Sequence, residues 1–532
     1  MSERTNNAQP ASGGRGSAAM VAAGILLSRI TGLISFRVFA HYFGNSDAAD
    51  CFRAGFRIPN FLQNLFGEGV LSASFIPVYA RLRAEGRHEE ASRLAEAIFA
   101  ILFLATALLV AIGVTITPWL IDLIAPGFHG EKRQLTITLV RIFFPGAGFL
   151  VFSAWCLGIL NSHRKFFLPY VTPVLSNLAM IAAFFWRGGA VPAEALVKIV
   201  AWGSVVGSVL QFGVQLPVVL RFLWPVTVRL NAGEHVRAVA RNFAPVFVAR
   251  GVVQISGYID AWLASFLGTG AVAAISYAQT LYLLPVSLFG MSVSAAELPE
   301  MSSALGTAEE IGLALRTRMA RALSQIAFFV VPSGVAFLAL GDVIVATIYK
   351  TGVFGARDVT YVWAVLAGST VGLLAQTSGR LFSSAFYALR DTRTPRNFAL
   401  IRVALTFGLG YLAALPLPRM LGVDPRWGVV GLTLTAGIAG WVEFSLLRWS
   451  LQKRIGRVEY PLDRLARLWL AALLAAAAGF ALKMALHPHV HSSVLTGVLV
   501  LGVYGTLYLA LTRLLGVGEH LDGVLRRIGI RA

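Results

Sequence analysis

The chain has 532 residues, 57% of them hydrophobic and only 13% charged. Soluble domains usually carry ~25% charged residues, so this balance excludes a soluble enzyme, a disordered chain and a disulfide scaffold. The net charge of +19 is what basic cytoplasmic loops give a polytopic membrane protein, and no nucleic-acid partner is expected. Cys51 and Cys156 are too few and too far apart for a metal cluster and read as buried thiols.

Residues 1–17 are polar and Gly/Ser-rich and read as a cytoplasmic tail. The apolar segment after them is too long for the core of a cleaved signal peptide and opens no polar mature domain. A helix needs ~20 apolar residues to cross ~30 Å of hydrocarbon. On that ruler the all-α chain holds about fourteen spans, near 18–43, 53–80, 94–120, 136–160, 168–187, 194–223, 240–268, 272–298, 318–348, 360–388, 397–417, 427–450, 465–486 and 491–514. The runs are continuous rather than alternating, which argues against barrel strands.

An even count places both termini on one side of the membrane. With residue 1 cytoplasmic, roughly 28 of the 45 Lys and Arg fall in cytoplasmic segments and about 9 outside. Arg81, Arg83, Arg87 and Arg93 share one such loop. Arg221, Arg229, Arg237 and Arg241 share another, and Lys453, Arg454, Arg457, Arg464 and Arg467 a third. Arg29, Arg37, Arg57, Arg141 and Arg250 fall within spans, where each costs at least ~2.5–3.5 kcal/mol. So repeated a cost points to a hydrated cavity.

The second span carries a polar stripe. At 100° per residue, Asp50, Arg53, Arg57, Asn64 and Glu68 lie within roughly a 60° arc, opposite Phe56, Phe61 and Leu65. Such a stripe must line water or pair with other polar groups, and Pro59, Gly67 and Gly69 weaken the helix beside it. Arg29 lies near mid-membrane in the first span and Arg37 about two turns further out. A cationic chamber built from these spans suits an anion, and phosphate is what the planar guanidinium fork binds best. The competing reading is mutual neutralisation, Asp50 with Arg53 and Glu68 with Arg57. Asp260 and Glu443 are intramembrane acids that suit an ion pair, a coupling cation or a proton. The run His487-Pro488-His489-Val490-His491 has short His spacing without an acidic partner, and no metal is expected there. No P-loop, HExxH, kinase or Ser/His/Asp signature appears, and no loop is long enough for a catalytic domain. The chain is expected not to be an enzyme.

Several segments, in this order, resemble the MurJ (MviN) lipid II flippase family. They begin with Ser28-Arg29-Ile30-Thr31-Gly32, the stretch Asp50 to Glu68 with Phe56-Arg57-Ile58-Pro59-Asn60, and Phe75-Ile76-Pro77. Ala125-Pro126-Gly127-Phe128, Ile159-Leu160-Asn161, Pro169, Pro173 and Asn177 follow. Gln254-Ile255-Ser256, Ser265-Phe266-Leu267, Leu298-Pro299, Phe386-Tyr387-Ala388, Asp391-Thr392 and Thr394-Pro395 complete the set. The family belongs to the multidrug/oligosaccharidyl-lipid/polysaccharide exporter superfamily.

The resemblance implies two six-helix lobes around a central cavity, here 18–223 and 234–453. It adds helices 13 and 14 (463–515) beside a groove for a lipid tail, with a cytoplasmic tail at 516–532. It implies transport of lipid II, an undecaprenyl-pyrophosphate-linked saccharide, from the inner to the outer leaflet of the bacterial inner membrane by alternating access. The partners implied are that glycolipid, membrane lipids and the cell-wall synthesis machinery. No cofactor is implied beyond a coupling cation or the membrane potential, with Asp260 and Asp391 as ion-coupling candidates. The substrate site would use Arg29, Arg57, Asp50 and Glu68. Ser35-Phe36, Gln63-Asn64 and Gln279-Thr280 stand where the family has Arg-Asp, Arg-Arg and Asp-Arg, so Arg37 and Arg53 are expected to substitute in a re-drawn pyrophosphate site with Asn64 on the same stripe. Alternatives are a flippase for another polyprenyl-linked oligosaccharide and a transport-inactive scaffold in cell-wall assembly.

Overall fold

Hydrocarbon offers no partner for a peptide group, so a long apolar run satisfies its backbone internally and becomes a helix. The computed structural model describes residues 13–66, 71, 74–223, 233–241, 243, 258–303, 307–459 and 462–519. Among these residues the elements are helical, apart from one isolated bridge between Thr351 and Phe354. Eleven of the described helices are long and apolar enough to cross a membrane, and a bent pair at 356–370 and 373–388 brings the number to twelve. Twelve of the fourteen expected spans correspond to these. The span expected at 53–80 holds a helix too charged to pass on apolarity, and the one at 240–268 lies mostly outside the described residues.

The chain divides into two compact units, Met1–Tyr42 with Cys51–Tyr258, and Phe43–Asp50 with Ile259–Ala532. The first contains α1 (Gly13–Phe43), most of α2 (Asp47–Phe66), α3 (Ile76–Ala84), α4 (His88–Ile124), α5 (Gly130–Ser162), α6 (Pro173–Arg187) and α7 (Ala193–Leu223). Helix α5 is the most enclosed, buried without interruption from Val151 to Leu160 against α4 and α7. Polar side chains tie these helices where no hydrophobic effect can. Gln215 donates to Ser153 (2.7 Å) and Thr172 (3.2 Å), and the Trp155 indole donates to the Ala95 carbonyl (3.1 Å).

Pro118 has no N–H and leaves the Val114 carbonyl, four residues back, without its helical donor. Arg141 of α5 supplies one through Nε at 3.3 Å. One of the arginines singled out for its membrane depth is thereby a structural strut.

The second unit contains α8 (Ile259–Ala264), α9 (Ala271–Pro285), α10 (Ser292–Ser302), α11 (Ala308–Ala339), α12 (Gly341–Tyr349), α13 (Ala356–Thr370), α14 (Leu373–Ala388), α15 (Arg393–Ala414), α16 (Gly428–Ile455), α17 (Leu462–Leu486) and α18 (Ser493–Leu514). Helix α16 packs on α13, α14 and α15. Gly372 and Gly437 meet so closely there that a Cβ on Gly437 would lie 2.8 Å from the Gly372 nitrogen. The last two helices pack on α11 and α12, with Ala471, Ala475 and Val500 buried against Phe328, Val335 and Leu340. Pro332 in α11 deprives the Phe328 carbonyl of its helical donor, and the Tyr508 hydroxyl of α18 fills that place at 2.6 Å.

Candidate functional site

The residues expected to bind an anion do not share one environment. Arg29 is exposed on α1 and has no carboxylate partner among the described residues. Its turn is held by Asn177 of α6, whose Nδ2 donates to Thr31 Oγ1 at 3.2 Å. Arg37 is half-buried one face further along. Arg53 is half-buried with its guanidinium carbon 4.0 Å from the ring centroids of both Phe36 and Phe39, an arrangement that stabilises a cation away from water. Arg57 is half-buried, and its backbone carbonyl accepts from the Tyr258 hydroxyl at 2.7 Å. Asn64 is exposed near the end of α2, and Glu68 lies outside the described residues.

Asp50 is different. It is fully buried and belongs to the second unit, where its two carboxylate oxygens accept from the N–H groups of Gly270 (2.7 Å) and Ala273 (2.8 Å). These are orphan donors at the start of α9, whose own cap residue Gly270 has no side chain to serve them. Gly270 is required because φ is +82° and a Cβ would lie 2.6 Å from the Asn45 carbonyl oxygen. Around the same corner Thr269 donates to Asp47, Asn45 to Asp358, and Tyr277 to the Gly44 carbonyl. Asp50, weighed from spacing as a partner of Arg53, thus also caps a helix that belongs to a distant part of the chain.

Asp391 is likewise committed. Its oxygens accept from the backbone of Arg393 and Thr394, the Thr394 hydroxyl (2.7 Å) and Arg454 (2.7 Å). The hydrogen bonds from Thr394, with Arg454 adding to them, hold its carboxyl down to about 2. Asp260 is half-buried on the short helix α8.

At the neutral positions in α9, Thr280 donates back to the Ser276 carbonyl. Cys51 and Cys156 are buried, Cys51 donating to the Lys132 carbonyl. His487 and His491 line a cavity of about 480 Å³ with Lys350, Lys483 and Asp342, and Asp342 is paired with Lys483. Among the described residues no group of three or more His, Cys, Asp or Glu could hold a metal.

Two intramembrane arginines were not singled out from the sequence. Arg402 in α15 pairs with Glu443 of α16, Nε to Oε2 at 3.3 Å, and Arg380 of α14 acts on the same carboxylate. The signal that would have found them is the one applied to Arg29, a charge near the middle of an apolar run.

A family model described as lipid II flippase MurJ matches residues 39–505. The lipid II flippase MurJ of Burkholderia cenocepacia is 34% identical over 438 residues, covering 81% of this chain and 82% of that protein. The probable lipid II flippase MurJ of Bdellovibrio bacteriovorus is 29% identical over 513 residues, covering 94% and 93%. A solved structure described as lipid II flippase MurJ in an inward closed conformation superposes with a TM-score of 0.76 at 24% identity, covering 96% of this chain and 99% of that one. A likeness at that identity speaks for the fold.

Proposed function

Because the chain belongs to the lipid II flippase family MurJ, we propose that it carries lipid II from the inner to the outer leaflet of the bacterial inner membrane. The single observation that carries this reading within the molecule is Arg29, a cation in an apolar span with no carboxylate to neutralise it among the described residues. An uncompensated arginine at that depth needs water or an anionic ligand, and the lipid II headgroup brings a diphosphate. Arg37, Arg53 and Arg57 complete the proposed diphosphate site, with Asn64 further along α2 and Glu68 beyond it in the sequence. The aromatic seat of Arg53 keeps its charge in place between loads.

Asp260 is the proposed place for a coupling cation or proton, since Asp391 is already held by Arg393, Thr394 and Arg454. The membrane potential favours outward movement of an anionic headgroup when the inside is negative, by about 2.3 kcal/mol per charge per 100 mV. Both termini are placed in the cytoplasm by the Lys and Arg bias, which leaves the cell-wall synthesis machinery as the acceptor on the far side.

The second reading, a flippase for another polyprenyl-linked saccharide, is favoured by Ser35, Gln63 and Thr280 standing where the family carries arginine. Expression in a strain depleted of its own lipid II flippase separates the two. Restored growth and restored surface exposure of lipid II are expected. A chain present in the membrane that restores neither would refute the lipid II assignment.

A further inference from the structure

Four side chains from four helices of the second unit converge near the middle of their spans. Arg402 lies about 14 Å along α15 from Arg393, and Glu443 about 22 Å along α16 from Gly428, at ~1.5 Å per residue. Both arginines, Arg402 and Arg380, act electrostatically on Glu443 and on Tyr282 of α9. Arg402 pairs with the carboxylate and Arg380 acts on it electrostatically, so the group holds one positive charge in excess at bilayer depth.

Its unfilled valences are mostly donors. Tyr282 is 8% exposed, and its hydroxyl is buried without a hydrogen-bond partner. Arg380 is exposed and makes no hydrogen bond or ion pair among the described residues. Arg402 uses Nε on Glu443, which leaves the other guanidinium nitrogens to turn elsewhere. A metal or coupling cation needs acceptors, and the one carboxylate present is already held by Arg402. An orphaned hydroxyl beside two guanidiniums instead fits a ligand made only of acceptors, and phosphoryl oxygens are that ligand.

We propose that Arg380, Arg402 and the Tyr282 hydroxyl form a phosphate-binding site in the second unit, with Glu443 positioning Arg402. The site takes a phosphoryl group of the lipid-linked substrate during its crossing, a role that rests on the flippase reading above. Glu443 fixes the direction of the Arg402 fork and lowers the charge of the empty site to a single positive one, so that the ligand meets one free guanidinium and one oriented one.

The test is titration of the purified protein with farnesyl diphosphate, inorganic pyrophosphate and phosphatidylglycerol, each followed by native mass spectrometry. R380A is expected to weaken farnesyl diphosphate at least about tenfold, since a charge-assisted bond is lost. The double change R402A/E443A, which leaves no buried carboxylate stranded, should do the same. Y282F should weaken it a few-fold. R380K, which keeps the charge and loses the fork, should fall between wild type and R380A. E443Q, by releasing Arg402 from its counter-charge, should tighten the probe, a change that a merely structural role would not give.

Unchanged farnesyl diphosphate affinity in both R380A and R402A/E443A, with the variants folded, would overturn the site. An equal loss for phosphatidylglycerol would make it a phospholipid headgroup site and overturn the substrate assignment. Weakening of pyrophosphate alone would likewise place a free anion there instead of the lipid. Growth rescue by the wild-type chain is scored in parallel. Its failure refutes the lipid II reading, whereas rescue by wild type and by both arginine variants alike refutes this site and leaves that reading standing.

Discussion

Asp50 shows how one carboxylate can look like part of a binding stripe and serve another purpose. On a helical wheel it falls beside Arg53 and Arg57, yet its two oxygens also accept from the N–H groups of Gly270 and Ala273. Asp50→Ala should therefore act through stability, costing about 1–2 kcal/mol as loss of a helix cap does. A lowered unfolding temperature in detergent, with Asp50→Asn losing less, is the expected result. Unchanged stability with weakened diphosphate binding would return Asp50 to the substrate.

Asp391 gives a test against pH. Its folded carboxyl is held at about 2 by Thr394 and then Arg454, against ~3.9 in an unfolded chain. Below about pH 4 the unfolded state binds more protons than the folded one, so this contribution is fully present above that value and fades towards pH 2. Unfolding temperatures followed from pH 6 to pH 3 should fall less steeply in D391A than in wild type. Equal slopes would show that the loop carries no such linkage.

Among the elements, proline decides what neighbouring helices must provide. Pro118 and Pro332 each free a carbonyl inside a span, and each is served from an adjacent helix, by Arg141 and Tyr508 respectively. In hydrocarbon there is no water to do this. Tyr508→Phe should cost about 1–3 kcal/mol, the penalty for an unsatisfied buried group. Pro332→Ala restores the helical N–H, so Y508F should cost much less in that background. A double-mutant cycle on unfolding free energy measures the difference, and simple additivity would show that the Tyr508 hydroxyl and the proline gap are independent. The contact of Gly372 with Gly437 belongs to the same scale, because α14 and α16 approach to a distance that leaves no room for a side chain at Gly437.

For the molecule as a whole, charge distribution sets orientation. The loops at 81–93 and 453–467 carry the arginines expected inside, and the turn between α17 and α18 contains His489 at the opposite end of that hairpin. Both native cysteines are buried, so an introduced cysteine reports its own position. H489C should react with a membrane-impermeant thiol reagent in intact cells, and R87C only after permeabilisation. The reverse pattern would invert the topology and the direction of transport with it.

Composition and periodicity alone determined that this chain is a helical membrane protein, because long apolar runs in hydrocarbon have one way to satisfy their backbone. They also determined where charge is out of place, in α1 and α2, since a lone arginine in an apolar run is visible without coordinates. The ordered motifs from Ser28 to Pro395 pointed to the family. Which charges remain available to a ligand was decided only by tertiary structure, because a partner can come from anywhere in the chain. The residue that occupies Asp50 is some 220 positions away, Arg141 is taken by a carbonyl on another helix, and the group of Arg380, Arg402, Glu443 and Tyr282 exists only once four helices meet.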